Sequence, residues 1–175
     1  MLSSDIVLWV NSNDMVLGKA RLVDVHERHL MHRLGVVFFR DAQNRFFLTR
    51  LAEGTLFGGS TDATLSFHVR AEESFEEALK RETFSQTGYR RAPKQVGHFV
   101  LDRDPEHVFC RVFEAVFDGP VFLDARVHSA GRFLSVGEIE AGLGGETLVP
   151  WFLSAWKTVV ANLGNRAGVD APGLE

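Results

Sequence analysis

One cysteine, one tyrosine and five prolines among 175 residues leave little material for a covalent or rigid scaffold. The single cysteine, Cys110, excludes an intrachain disulfide and makes a reducing compartment the simpler setting. It lies in the apolar run Val108-Phe109-Cys110-Arg111-Val112-Phe113 with no motif around it, and so reads as a buried structural thiol. No apolar run approaches the roughly 18 residues that a membrane helix needs. The opening residues lack a basic segment followed by an apolar core, so no secretory signal is expected. Basic excess is missing too. The net charge is -4, and Arg90-Arg91 with Lys94 is too short a cluster to form a nucleic-acid-binding stripe. These absences point to a cytoplasmic protein with no membrane partner and no nucleic-acid partner.

What is present suits one well-packed domain: 45% hydrophobic residues, 24% charged, and no internal repeat. DIVLWVN (Asp5 to Asn11) and MVLGKARLVDV (from Met15) read as an opening hairpin, whose edge offers pairing to a second subunit as a homodimer. LGVVFFR (from Leu34) and RFFLTR (from Arg45) flank the turn-forming Asp41-Ala42-Gln43-Asn44. A glycine-bearing loop, LAEGTLFGGSTD, leads to a short strand near Ala63 to Phe67. QVGHFVL and HVFCRVFEAVF form a further hairpin about DRDPE, and Arg132-Phe133-Leu134 is the last short strand. Ser135 caps a helix reaching Gly142, and Pro150 opens an amphipathic helix to Leu163. The pattern predicts one layered α/β domain over residues 1–163, a mixed sheet sandwiched between helices (α/β/α). The Gly-, Ala- and Pro-rich residues 164–175 read as a disordered tail.

The strongest local signal is FHVRAEESFEEALKRETFSQTG, from Phe67 to Gly88. Ser74 and Glu77 make a capping box, Phe75, Ala78, Leu79 and Glu82 share one face, and Gly88 suits a left-handed terminus. Glu82 and Gln86 point the same way with Ser85 beside them. Hard divalent cations prefer carboxylate oxygens, and Glu82 alone supplies charge here, with Gln86 an auxiliary neutral ligand. Glu106, with Asp102 and Asp104 on the strand-strand turn, is the candidate to complete the site. Glu73 lies two helical turns before Arg81, within reach of a bidentate pair that would pin the loop to the helix. His26, His29 and His32 recur every third residue, but no cysteine or acid follows at structural zinc spacing. Local ordering, or phosphate contact by Arg28 and Arg33, is the plainer reading. His68, after the short strand and beside the site, reads as a packed loop histidine, with substrate contact the alternative.

This stretch resembles the Nudix box. Phe67 stands at its opening glycine, Glu73 at its first glutamate, Arg81-Glu82 at its Arg-Glu pair, Ser85-Gln86 at its Glu-Glu pair and Gly88 at its closing glycine. VLGKARLVDVHERHLMHRLGVVFF, with His32-Arg33, and GRFLSVGEIEAGL resemble the branch holding isopentenyl diphosphate isomerases and their hydrolase-like relatives. The resemblance implies a Nudix fold, a diphosphate-containing substrate and Mg²⁺ or Mn²⁺ held by the box. Glu73, Arg81 and Gly88 would supply structural support, Glu82 and Gln86 the metal ligands, and Glu82 with Glu106 the catalytic groups. Ser66 occupies the place of the isomerase cysteine. Two readings stay open: a hydrolase of a nucleoside-diphosphate-linked or other diphosphate with a weakened metal site, or an inactive Nudix fold that binds a nucleotide or protein. Phe57, Phe67 and Phe99 are candidates to stack a base or to fill the core.

Overall fold

The computed structural model describes residues 5–169, with residues 165–169 described as helical backbone. β1 (Ile6–Val10) and β2 (Val16–Arg21) form the opening hairpin and α1 (Leu22–Glu27) follows directly. The run LVDV, expected to continue the second strand, is therefore helical. Its Leu22 and Val25 pack on Val7, a one-sided burial that a single helical turn supplies and a strand at that edge does not. β3 (His32–Arg40), β4 (Phe46–Leu51), β5 (Thr61–Asp62) and β6 (Leu65–His68) come next, before α2 (Phe75–Thr87). β7 (Lys94–Arg103), β8 (Glu106–Val116), β9 (His128–Leu134), α3 (Val136–Glu140) and α4 (Phe152–Val169) complete the order. The last helix runs past Leu163 to Val169, so residues 164–169 are not the start of a tail; residues 170–175 lie outside the described residues.

All nine strands belong to one mixed sheet, and β3 is its hub. It pairs in parallel with β8 from His32↔Val108 to Arg40↔Val116, and antiparallel with β1, β4 and β6. The β3–β4 ladder holds only at Phe39↔Phe47 and Arg40↔Phe46. There Thr64 replaces it: Phe39 N donates to Thr64 Oγ1 at 2.7 Å, and that hydroxyl donates to the Phe47 carbonyl at 2.6 Å. The backbone groups stay satisfied while the strands splay, so β6 joins β3 while β5 and β9 join β4. Alternation along β3 divides the core. Leu34, Val36 and Phe38 meet Phe152, Trp156 and Val159 of α4, whereas Val37 and Phe39 join the cluster containing Phe75, Ala78 and Leu79 of α2.

α2 is fixed at both ends. Ser74 and Glu77 close the capping box, and Gly88 ends the helix at φ 71°, where a side chain would be strained. Phe67, at the place of the box's opening glycine, lies in β6 as the strand expected near Ala63 to Phe67 requires, and extended backbone there accommodates a side chain. Its ring covers Gly35, the residue paired with it on β3. A Cβ added at Gly35 would lie 2.1 Å from the Phe67 ring. Phe67 and Gly35 are thus one packing unit, which assigns Phe67 to the core and not to base stacking. G35A should destabilise by about 1–3 kcal/mol through overpacking, and F67A by about 3–5 kcal/mol through the cavity it leaves. The double variant should cost less than the sum in urea unfolding, because the smaller side chain makes room for the new methyl group.

Candidate functional site

α2 lays its polar edge along the end of β6. Arg81 makes a two-pronged pair with Glu73: Nε donates to Oε2 at 3.0 Å and a terminal nitrogen donates to Oε1. Glu73 Oε1 also accepts from Arg70 N at 2.9 Å, so the loop before the helix is held by its backbone as well. Despite its own burial, the guanidinium beside it holds the Glu73 carboxyl below the ordinary glutamate range.

The other terminal nitrogen of Arg81 donates to Glu82 Oε1. Gln86 Nε2 donates to Glu82 Oε2 at 2.9 Å, and also reaches the Ser66 carbonyl at 3.3 Å. Gln86 Oε1 in turn accepts from His128 Nε2 of β9 at 2.9 Å. The opposite amide orientation would set two acceptors against each other. Glu82, Gln86 and His128 are all buried, while Ser85 is exposed. Each Glu82 oxygen and the Gln86 carbonyl oxygen therefore already has a donor. This arrangement is a closed hydrogen-bond chain, and a divalent cation on the box helix would have to share or displace its donors.

A second constellation lies where α1, β3, β6 and β8 meet. His26, His32 and His68 each present a ring nitrogen, all within 4.8 Å of one another. The His26 and His32 rings meet edge to face at 4.8 Å, and His32 stacks on His68 at 5.0 Å. Glu106 joins them: its Oε1 is 3.1 Å from His26 Nδ1, and its Oε2 is 3.9 Å from His32 Nε2. His32 Nδ1 donates to the Leu30 carbonyl at 3.0 Å, which leaves a lone pair on Nε2. Four buried polar atoms, Nε2 of each histidine and Glu106 Oε2, have no hydrogen-bond partner. Leaving that many unpartnered is costly unless something sits between them. Burial pushes His32 down to about 4, and burial with the neighbouring His32 and His26 rings pushes His68 well down, so both are neutral ligands near pH 7. Three imidazoles and a carboxylate suit a borderline divalent cation such as Zn²⁺, Mn²⁺ or Fe²⁺.

The expected site residues are thus distributed over two places. Glu73, Arg81, Glu82 and Gln86 form one chain along α2, while Glu106 stands among the histidines. His68, read as a packed loop residue, belongs with Glu106. His29 turns away from His26 and His32. Arg33 is not free for phosphate, because its Nε donates to Asp14 at 2.6 Å. Two residues beyond His32 in the β3 register, Cys110 is fully buried beside Leu34, and burial raises its thiol well above the ordinary value. Ser66, on the same face of β6 as His68, donates to Asp62 Oδ2 at 2.6 Å. Asp62 also accepts from Ala63 N and from Trp151 Nε1, and complete burial pushes it up to about 6.

Two outcomes follow from these buried groups. Burial holds His128 at about 4, so its contribution to stability is present above about pH 6.5 and lost as pH falls through 4. Asp62 works in the opposite sense: its contribution is present below about pH 4 and lost as pH rises through 6. In metal-free protein, D62N should therefore lose more stability between pH 6.5 and 4 than the parent does, by about 3 kcal/mol in urea titrations. Q86E places a carboxylate against His128 Nε2 and should raise the His128 pKa from about 4 by a unit or more in NMR titration. An unchanged value would show that the Gln86–His128 contact is not made.

No family model matches the chain. It is 32% identical to the uncharacterised Nudix hydrolase SCO1686 of Streptomyces coelicolor over 178 aligned positions, covering 99% of this chain and 96% of that protein. It is 25% identical to isopentenyl-diphosphate Delta-isomerase 1 of Photorhabdus laumondii, over 89% of this chain and 95% of that one. In fold it matches DR0079 of Deinococcus radiodurans with a TM-score of 0.77 at 21% identity, across 88% of this chain and 97% of that one. With a relative so similar along almost its whole length, and the mixed sheet and box helix laid out above, the chain belongs to the Nudix hydrolase superfamily.

Proposed function

We propose that this protein is a metal-dependent Nudix hydrolase of a diphosphate-containing small molecule, and that its metal is held by His26, His32, His68 and Glu106. One observation carries the reading: three histidines from three elements bring ring nitrogens within 4.8 Å of one another, Glu106 Oε2 lies 3.9 Å from His32 Nε2, and that oxygen and each histidine Nε2 are buried without a hydrogen-bond partner. A divalent ion held there would polarise a diphosphate oxygen and acidify a bound water. The chain's own groups do the rest. Glu106 orients His26, the Leu30 carbonyl orients His32, and Ser66, whose proton goes to Asp62, offers an acceptor oxygen on the His68 face of β6. The box helix acts as a brace, because Arg81 and Gln86 neutralise and fix Glu82. The diphosphate class is supported by the isomerase relatives, whose name specifies a diphosphate.

The second reading, a binding protein without turnover, is favoured by the fully engaged Glu82 alone. A panel of nucleoside diphosphate derivatives and isopentenyl diphosphate, assayed for phosphate release and for isomerisation with Mn²⁺, Mg²⁺ or Zn²⁺, separates the two. H32A and H68A should each lower metal-dependent turnover by about 10–100-fold or more, while the exposed S85A stays near the parent. Turnover lost in E82Q yet kept in H32A and H68A would return the metal to the box helix. Silence across the panel from folded protein would favour the binding reading.

A further inference from the structure

The exposed rim beside the histidine centre carries another set of donors. His29 occupies the bend between α1 and β3 at φ 54°, a left-handed conformation that turns its ring toward the β7–β8 turn. There its Nδ1 lies 2.8 Å from Asp104 Oδ1, and His107 Nε2 lies 3.3 Å from the same oxygen. The two rings stand edge to face with centroids 5.5 Å apart. On its far side, His107 Nδ1 is 2.7 Å from Asp102 Oδ1.

The geometry points to a second divalent-cation site at this rim, with His29, Asp104 and His107 as ligands and Asp102 as the group that orients His107. The donor set is two imidazoles and a carboxylate, the mixture that borderline divalent ions take. Two ligands at about 2.0–2.1 Å from a tetrahedral zinc are about 3.3 Å apart; His107 Nε2 and Asp104 Oδ1 already stand at 3.3 Å, and the 2.8 Å contact of His29 with Asp104 would widen slightly to admit the ion. Asp102 accepts from the Nδ1 proton of His107, which leaves Nε2 facing Asp104 Oδ1 at 3.3 Å. A protonated ring donates to both acids, and these two contacts raise the His107 pKa; a divalent cation would take the place of the second proton, between Nε2 and Asp104. Carboxylate–imidazole–metal chains use this arrangement to fix the ring and strengthen it as a donor.

Access separates this rim from the interior centre. The His29 and Asp104 side chains are 56% and 79% exposed, so an ion can enter without local opening and retain water on its free positions. The rim and the interior also share chain segments. His29 lies between His26 and His32, and His107 follows Glu106 directly. An ion at the rim would tie the α1–β3 bend to the β7–β8 turn, the two segments that set the interior ligands. The rim set does not depend on the proposed activity, because none of its ligands belongs to the interior centre.

The test is Zn²⁺ stoichiometry by equilibrium dialysis on tag-free, full-length protein, with circular dichroism as the control for folding. About two ions per chain are expected for the parent. H29N keeps a residue at home in left-handed backbone, and D104N alters only the exposed acid; each should remove one ion and leave the other. H68A should leave the rim ion in place. Two ions retained in both H29N and D104N would overturn the rim site, as would a single parental ion that H68A removes and H29N does not. A single ion removed by H29N and kept in H68A would sustain the rim site and count against the interior centre.

Discussion

A carboxylate cannot be buried without compensation, and the functional corner of this fold is organised by three that are. Glu82, Glu106 and Asp62 are 6%, 2% and 0% exposed. Each meets the desolvation cost differently. Glu82 has a guanidinium on one oxygen and an amide on the other. Asp62 is surrounded by donors and still has its pKa pushed up, so burial outweighs its hydrogen bonds. Glu106 has one oxygen on His26 and leaves the other unpartnered among imidazoles. An incompletely satisfied buried acid among imidazoles is a place where a cation would lower the free energy. The same accounting that closes the box helix opens the histidine centre.

Replacing Glu-Glu by Ser85-Gln86 reads first as a loss of charge for metal binding. In the structure it is also a gain. A second carboxylate at position 86 would need a cation to sit four residues from Glu82, whereas the Gln86 amide supplies a donor to Glu82 and an acceptor to His128 at once. The Glu73–Arg81–Glu82–Gln86–His128 chain links the loop before α2 to strand β9. Arg81 thus serves two acids, and its brace works with no metal present.

How far this was legible in the sequence depends on distance along the chain. A helix makes local spacing into geometry, so the capping box, the Glu73–Arg81 interval and the Gly88 terminus can be read from residue order. The α1 segment misleads because its four residues LVDV carry strand-forming valines, and the deciding contact with Val7 is made by folding. Phe67 misleads for a related reason: its fitness at a glycine position depends on Gly35, thirty-two positions earlier in the chain and brought opposite by the β3–β6 register. The histidine centre draws on four elements, and nothing in one local window joins His68 to His26. The signal available was the offset of two between Ser66 and His68, which puts both on one face of a strand, together with the acid Glu106 opening a largely apolar strand. A charged residue at the start of a run that is otherwise buried asks for a partner.

The splayed β3–β4 hairpin explains why those distant residues converge. Thr64 ends the ladder after two pairs and lets β6 take the vacated edge of β3, which brings His68 opposite Leu34 and alongside His32. On the other edge, the parallel β8 places Val108 opposite His32, so Glu106 reaches the same end. A parallel neighbour and an antiparallel neighbour thus deliver a strand beginning and a strand end to one corner of the sheet. The box helix is pinned to that corner through the Ser66 carbonyl and Gln86. The strand hub therefore gathers His68 and Glu106 beside His32 from its two sides, at the corner that the box helix adjoins. In this chain Glu82 and Gln86 are hydrogen-bonded to Arg81, to each other and to His128, a set of contacts that suits bracing.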